Sequence, residues 1–128
     1  RFEHLTHLSI SRCGMVTEFP DVSGAMNLRE LILDGCHKLV SIHKSVGYLA
    51  NLVVLSASWC SELHYFVPIM HLPSLEYLSL DSCRSLARFP EIEGTMDKPL
   101  SIDVSLTAIK ELPESVEKLT GLYSLDMS

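Results

Sequence analysis

The sequence predicts an α/β solenoid, with a parallel β-sheet on its concave face and short helical, 3₁₀ or irregular segments on its convex face. The first reason is a regular interval, because Cys13, Cys36, Cys60 and Cys83 follow one another after 23, 24 and 23 residues. The second is that each cysteine closes the same phrase, as in LRELILDGC and LEYLSLDSC, with leucines at the first and fourth positions. A repeat of this length with this leucine spacing is typical of leucine-rich repeats.

The repeats divide the whole chain. We expect residues 1–128 to form a single leucine-rich repeat domain fragment, with five units that start near residues 5, 28, 52, 75 and 99 and a truncated sixth from 122. The fifth unit departs from the pattern, since Pro99 stands for the first leucine and Thr107 for the cysteine. Because the chain starts and stops inside a unit, we expect it to be a piece of a larger protein.

Each unit is predicted to begin with a strand. In a leucine-x-leucine segment, alternate side chains point to the same side, which is the period of a β-strand. The inward leucines fill the interior of the solenoid, and the residues between them face outward on the concave side. A single unit cannot bury its own inward side chains, so the fold depends on stacking neighbouring units.

The rest of each unit is predicted to return along the convex side. Ser45, Ser74 and Ser115 are predicted to cap short helical or 3₁₀ turns. A proline ends most descending arms, but Pro68 lies one residue late in its unit, so we expect a local irregularity there. Two apolar columns are predicted on this side: Val22, Val46, Ile69, Ile92 and Val116, then Ala25 or Met26, Leu49, Leu72, Met96 and Leu119.

The cysteines admit three interpretations. The favoured one is that each packs as a small hydrophobic side chain at the bend after its strand, with a weak S–H donor. Disulfides are the second, since neighbouring strands lie about 4.8 Å apart, although stacked side chains would point the same way rather than toward each other. A metal site is the third, suggested by Cys36-His37 and by Cys60 with His64, but evenly spread cysteines lack the close ligand pairs of a zinc site.

Composition excludes several classes of function. A formal net charge of −6, with scattered basic residues, predicts no nucleic-acid partner and no membrane partner. No apolar run is long enough for a transmembrane helix. The sequence also lacks the glycine-x-serine-x-glycine motif and a glycine-rich phosphate loop. We therefore expect no enzyme, no cofactor and no metal.

The outward strand residues are the candidate binding site for a protein partner. Trp59 and Tyr77 are the predicted anchors, because aromatic side chains bury a large area and keep a polar atom. Aspartates around them would favour a basic partner. The alternative is that these are ordinary solvated strand residues. The predicted set is His7, Arg12, Glu30, Asp34, Trp59, Tyr77, Asp81, Asp103 and Asp126.

Four phrases carry a resemblance to a known family: FPDVSGAMNLREL, VSIHKSVGYLANLVVLSASWC, LPSLEYLSLDSCRSLARFPEIEGTM and TAIKELPESVEKLTGL. Together they resemble the leucine-rich repeat region of plant intracellular immune receptors. The most similar class has an N-terminal toll/interleukin-1 receptor-like (TIR) domain and a central nucleotide-binding domain. The chain departs from that family at Pro99, where the family has leucine, and at Leu106, an apolar residue expected to be exposed where the family has a small one.

The resemblance implies a sensor and autoinhibitory module without enzymatic activity, in the cytoplasm and also the nucleus. Its implied partner is a pathogen effector, a host protein modified by an effector, or the receptor's own nucleotide-binding domain. A ubiquitin-ligase substrate receptor and an extracellular receptor ectodomain are the alternatives. The leucines of the two end units, Leu5, Leu8, Leu122 and Leu125, further predict end-to-end self-association of the fragment, since end repeats normally need polar caps.

Overall fold

The computed structural model, which describes residues 2–128, stacks one strand from every unit into a parallel sheet. Equivalent residues pair across it, as Leu31 does with Leu55 and Leu55 with Leu78. The predicted solenoid with a parallel sheet is confirmed. In spatial order the strands are β1 (His7–Ser9), β3 (Glu30–Ile32), β5 (Val54–Ser56), β7 (Tyr77–Ser79), β9 (Leu100–Asp103) and β10 (Leu122–Asp126).

The returning segments form smaller elements on the opposite side. β2 (Glu18–Phe19) pairs with β4 (Ser41–Ile42), and β6 (Ile69–Met70) pairs with β8 (Glu91–Ile92). Two 3₁₀ helices, Lys44–Tyr48 and Glu114–Lys118, are the helical elements in the described part of the chain. No helix within residues 2–128 has the length and hydrophobicity needed to cross a membrane.

The inward strand residues form the core. Leu31, Leu55 and Leu78 are fully buried, and Ile102 is 1% exposed. Each such side chain contributes about 1.5–3 kcal/mol relative to an exposed one. Leu5 and Leu8 are only partly buried, because they have neighbouring units on one side only.

The fifth unit differs from the prediction at its first inward position. Pro99 is exposed, and Leu100 takes the place of the first leucine, with 1% of its surface exposed. Leu100 pairs with Leu122, and an irregularity at Tyr123 then brings Ser101 opposite Ser124. A proline has no N–H to donate to the sheet, so Pro99 is confined to the position before the strand.

The irregularity expected in the third unit is confirmed. Between β4 and β6 the ladder of the returning segments is replaced by an isolated bridge from Ser41 to Tyr65. The same one-residue shift places Met70, not the predicted Ile69, in the buried apolar column. In the first unit Ala25 is the buried residue, while Met26 is 60% exposed.

The serines of the returning segments connect neighbouring units, so the prediction that they cap the helices is wrong. Ser45 and Ser115 lie inside the 3₁₀ helices, and their hydroxyls accept hydrogen bonds from the backbone N–H groups of Val22 and Ile92. Ser74 donates its hydroxyl to the Ala50 carbonyl. The first 3₁₀ helix is instead capped by the ring of His43, which accepts from the Ser45 N–H.

A turn with positive φ ends every complete strand. The residue before each cysteine or threonine has φ between 56° and 75°. Its N–H donates to a carbonyl of the next unit, at 2.7 Å from Arg12 to Asp34 and at 2.8 Å from Trp59 to Asp81. Of the five residues in this position only one is a glycine, which has no steric penalty in this conformation. We call them the turn column: Arg12, Gly35, Trp59, Ser82 and Leu106.

The cysteines pack at this turn, as the favoured interpretation predicts. Cys36, Cys60 and Cys83 are fully buried free thiols, and Cys13 is partly buried. The three buried Sγ–H groups donate to carbonyls of the preceding unit, with distances from 2.9 to 3.2 Å. Thr107 instead donates its hydroxyl to the Val104 carbonyl of its own unit. The change from cysteine to threonine therefore replaces a bond between units with a local one.

The close contact at Gly47 gives a test of the third unit. A Cβ at Gly47 would collide with the Ile69 carbonyl oxygen, whereas a Cβ at Gly24 would have no atom within 4 Å. We expect Gly47→Ala to lower the free energy of unfolding by about 3 kcal/mol, as overpacking does. The matched Gly24→Ala should change it by less than about 1 kcal/mol. Urea denaturation followed by circular dichroism measures both, and equal effects would contradict this packing.

The buried cysteines give a second test. Burial raises the pKa of the Cys36 thiol, and the neighbouring Cys83 thiol together with burial raises the pKa of the Cys60 thiol. We expect iodoacetamide to modify Cys13 at neutral pH and to leave the other three unmodified until the chain unfolds, as read by mass spectrometry. Labelling of all four at one rate would exclude the buried arrangement.

The raised pKa values also set the sign of a pH dependence. Above the unfolded thiol pKa of about 8.5, the unfolded chain releases protons that the folded chain keeps. The stability that Cys36 and Cys60 contribute in this way is therefore complete below that pH, and it is lost as the pH rises toward their folded pKa values. The neighbouring Cys60 thiol lowers the pKa of Cys83, which acts in the opposite direction.

Candidate functional site

The concave face has a floor of short polar side chains. Ser56 and Ser79, at equivalent positions of β5 and β7, are only 5% and 2% exposed although they point outward from the core. Their hydroxyls must therefore bond to neighbours rather than to bulk water. Those neighbours are a serine and an aspartate that follow the strand of the preceding unit.

Asp34 connects the second and third units. Its Oδ1 accepts from the Ser56 hydroxyl at 2.6 Å and from the Ser58 N–H at 2.9 Å. The Ser58 hydroxyl lies 2.7 Å from that of Ser79, which extends the network to the fourth unit. This predicted binding residue therefore also has a structural role.

A second part of the network connects the fourth and fifth units. The Ser105 hydroxyl lies 3.1 Å from Asp81 Oδ1 and 2.6 Å from Asp103 Oδ1. Asp81 also accepts from the hydroxyl of Ser82, and Asp103 from the Ser105 N–H. The two carboxylates lie on the predicted face but are half-buried. Asp126 is exposed, and hydrogen bonds from the backbone N–H and the hydroxyl of Ser128 lower its pKa.

The predicted anchors stand on opposite sides of the floor. Trp59 is 56% exposed in the turn column, and Tyr77 is 40% exposed at the start of β7. Tyr77 and Ser82, the turn-column residue of the same unit, are five residues apart, which spans less than roughly 16 Å, because β7 ends at Ser79 and Ser82 lies in the turn. The two aromatic side chains therefore border the floor and do not form one cluster.

His7, Arg12 and Glu30 lie at the end of the face formed by the first two units. His7 Nε2 is 3.7 Å from Glu30 Oε2, and both side chains are largely exposed. Arg12 is exposed in the turn column, next to Gly35. These three residues are separated from Asp103 and Asp126 by two to four strands, so the predicted set extends along the whole sheet.

One residue of this face was not in the predicted set. Leu106 is 51% exposed, as the sequence predicts. It belongs to the turn column and lies two units from Trp59. Ser82, between them in the same column, is fully buried, so larger side chains around it must cover it. The signal was present in the sequence, because Leu106 directly precedes Thr107 as Trp59 precedes Cys60.

The hydrogen bonds of the floor join side chains of the face to one another. None of the serines of the face has a histidine partner among the hydrogen bonds of residues 2–128. Across the described residues, no three histidine, cysteine or acidic side chains are placed to hold a metal ion.

Comparisons with known proteins agree with this repeat structure. Residues 71–128 match the family model of the leucine-rich repeats of RPS4B-like disease resistance proteins. The chain is similar to TMV resistance protein N of Nicotiana glutinosa, with 36% identity over 112 residues, covering 88% of this chain and 10% of that protein. It is also similar to disease resistance protein RPP5 of Arabidopsis thaliana, with 37% identity over 112 residues, covering 88% and 8%.

A third relative, disease resistance protein RPP2A of Arabidopsis thaliana, is 30% identical over 125 residues, covering 98% of this chain and 9% of that protein. The chain thus spans about a tenth of the length of the curated relatives it matches.

The hydrogen bonds of Asp34 predict a stability effect. Asp34→Ala removes the acceptor of the buried Ser56 hydroxyl, so we expect a loss of about 2 kcal/mol in the free energy of unfolding. Asp34→Asn keeps an acceptor oxygen and should lose less than half of that. Urea denaturation measures the difference, with Ser9→Ala on the exposed first strand as the control. Equal losses for Asp34→Ala and Ser9→Ala would show that the network adds no stability.

Proposed function

Since the chain belongs to the leucine-rich repeats of plant disease resistance proteins, we propose that it is a protein-interaction module of an intracellular immune receptor, with its concave face as the binding site. The resemblance that the sequence phrases carry is confirmed by the family model and the relatives. These relatives are resistance proteins, which favours this function over a ubiquitin-ligase receptor or an extracellular ectodomain. The proposal includes no catalytic step and no cofactor.

The main support is the exposure of aromatic side chains on a rigid sheet. Trp59 and Tyr77 are 56% and 40% exposed, yet the strands that carry them are paired on both sides. Aromatic residues held in place in this way lose little conformational freedom on binding. The proposed contact residues are the predicted set together with Leu106: His7, Arg12, Glu30, Asp34, Trp59, Tyr77, Asp81, Asp103, Asp126 and Leu106.

In such a receptor the module would act as sensor and as autoinhibitory contact. Its partner would be a pathogen effector, a host protein altered by one, or the receptor's own nucleotide-binding domain. The proposed compartments are the cytoplasm and the nucleus. End-to-end self-association of the isolated chain stays a prediction, supported by the 39% exposure of Leu125 and the partial exposure of Leu8.

The proposal is tested in the full-length receptor that carries these repeats. Trp59→Ala with Tyr77→Ala should abolish its response to pathogen, or cause cell death without pathogen if the face holds the receptor inactive. Truncations of buried aromatic anchors cost on the order of 2 kcal/mol each, about a thousandfold in affinity for two. Cell death in leaf tissue is scored for a panel of pathogen strains, at matched protein levels.

The matched control is Tyr48→Ala with Tyr65→Ala, since these two tyrosines are 48% and 67% exposed on the returning segments. We expect the control to behave as the unmodified receptor does. An unchanged response and an unchanged resting state in the Trp59 and Tyr77 variant would overturn the assignment of the concave face.

A further inference from the structure

The net charge of the chain is concentrated on the concave face. From the second unit onward, the outward strand positions and the turn column carry five acidic residues and no lysine or arginine. The remaining eleven acidic and ten basic residues of the chain nearly cancel. With Arg12 of the first unit included, the face carries −4 of the net charge of −6. The five are Glu30, Asp34, Asp81, Asp103 and Asp126.

The negative charge of this face is solvated by neutral groups. Asp34, Asp81 and Asp103 accept hydrogen bonds from serine hydroxyls and from backbone N–H groups. The single ion pair among residues 2–128 joins Glu30 to His7. Carboxylates of one sign lining one face create a negative potential that attracts a cationic partner and repels an acidic one.

The geometry of the face restricts the form of the partner. β3, β5, β7 and β9 are each paired on both sides, so the middle of the sheet has no free edge to which an extended peptide could add. Recognition there must use side chains. The floor between Tyr77 and the turn column is less than roughly 16 Å wide, a width comparable to the diameter of an α-helix, about 10–12 Å.

We propose that the concave face binds an α-helix of a protein partner that carries lysines or arginines along one side and lies across the strands. Asp34 and Asp81 share a column two strands apart, a separation of about 9.6 Å. Basic residues seven positions apart on a helix are separated by about 10.5 Å along its axis. Trp59 and Leu106 would contact the apolar and aliphatic parts of the helix, and Trp59 also offers its ring to a cation. This inference rests on the proposed function and specifies the chemistry of its partner.

The test uses the 128-residue chain, in which Trp59 is the single tryptophan and therefore reports on the site by its fluorescence. The probe is an 18-residue helical peptide of alanine, leucine and lysine, with lysines at positions i, i+4, i+7 and i+11. A scrambled peptide of equal composition is the second probe. We expect the patterned peptide to shift the Trp59 emission and to bind about tenfold more tightly than the scrambled one. Its affinity should fall as the salt concentration increases.

Two triple variants with the same change in net charge locate the binding. Asp81→Asn, Asp103→Asn and Asp126→Asn remove charge from the face and keep acceptor oxygens, so we expect roughly tenfold weaker binding of the patterned peptide. Glu62→Gln, Glu93→Gln and Glu117→Gln change exposed residues outside the face, and should stay within about twofold of the unmodified chain. Circular dichroism checks that every variant is folded.

Each failure has a separate meaning. Equal weakening by the two triple variants, or equal binding of the patterned and scrambled peptides, would overturn the basic-helix proposal. If the full-length receptor nevertheless loses its response through Trp59→Ala with Tyr77→Ala, the concave binding site stands and its partner has another chemistry. If both experiments fail, the concave face is not the binding site.

Discussion

The structure depends on the turn that ends each strand. There one residue takes positive φ and donates its N–H to the next unit, and the buried thiol that follows donates back to the preceding unit, as with Trp59 and Cys60. The turns of the second, third and fourth units are therefore held from both sides, which sets the register of the strands. Positive φ costs a residue other than glycine on the order of 1 kcal/mol. A cysteine suits the buried position because its thiol is a weak donor that loses little on leaving water.

The same turn produces the candidate site. Trp59 and Leu106 take this conformation where their strands end and are more than half exposed, whereas the small Ser82, in the same conformation between them, is buried. A glycine would be less strained in the turn column, yet Gly35 is the only glycine among its five residues. Large side chains kept at strained, exposed positions favour a role in binding rather than in folding.

The sequence predicted the solenoid, the register of its strands and the columns of the concave face, because inward leucines at a fixed interval leave few other ways to bury them. It misplaced residues wherever one proline shifted a unit, as with Leu100 after Pro99 and Met70 after Pro68. It also predicted the aspartates only as an acidic surround of the two anchors. The bonds between Asp34 and Ser56, or Asp81 and Ser105, depend on side chains of different units, and a pattern within one unit does not specify them.

These bonds also affect what the face can select. Because serine hydroxyls and N–H groups already occupy Asp34, Asp81 and Asp103, a partner gains little by offering neutral hydrogen-bond donors there. It gains more from positive charge, since from the second unit onward no lysine or arginine of the face offsets the carboxylates. Under the proposed function, the fixed floor would select for charge, and Trp59, Tyr77 and Leu106 at its borders would supply the apolar area. The repeats keep the floor and the borders in one rigid sheet, so both requirements must be met by the same partner surface.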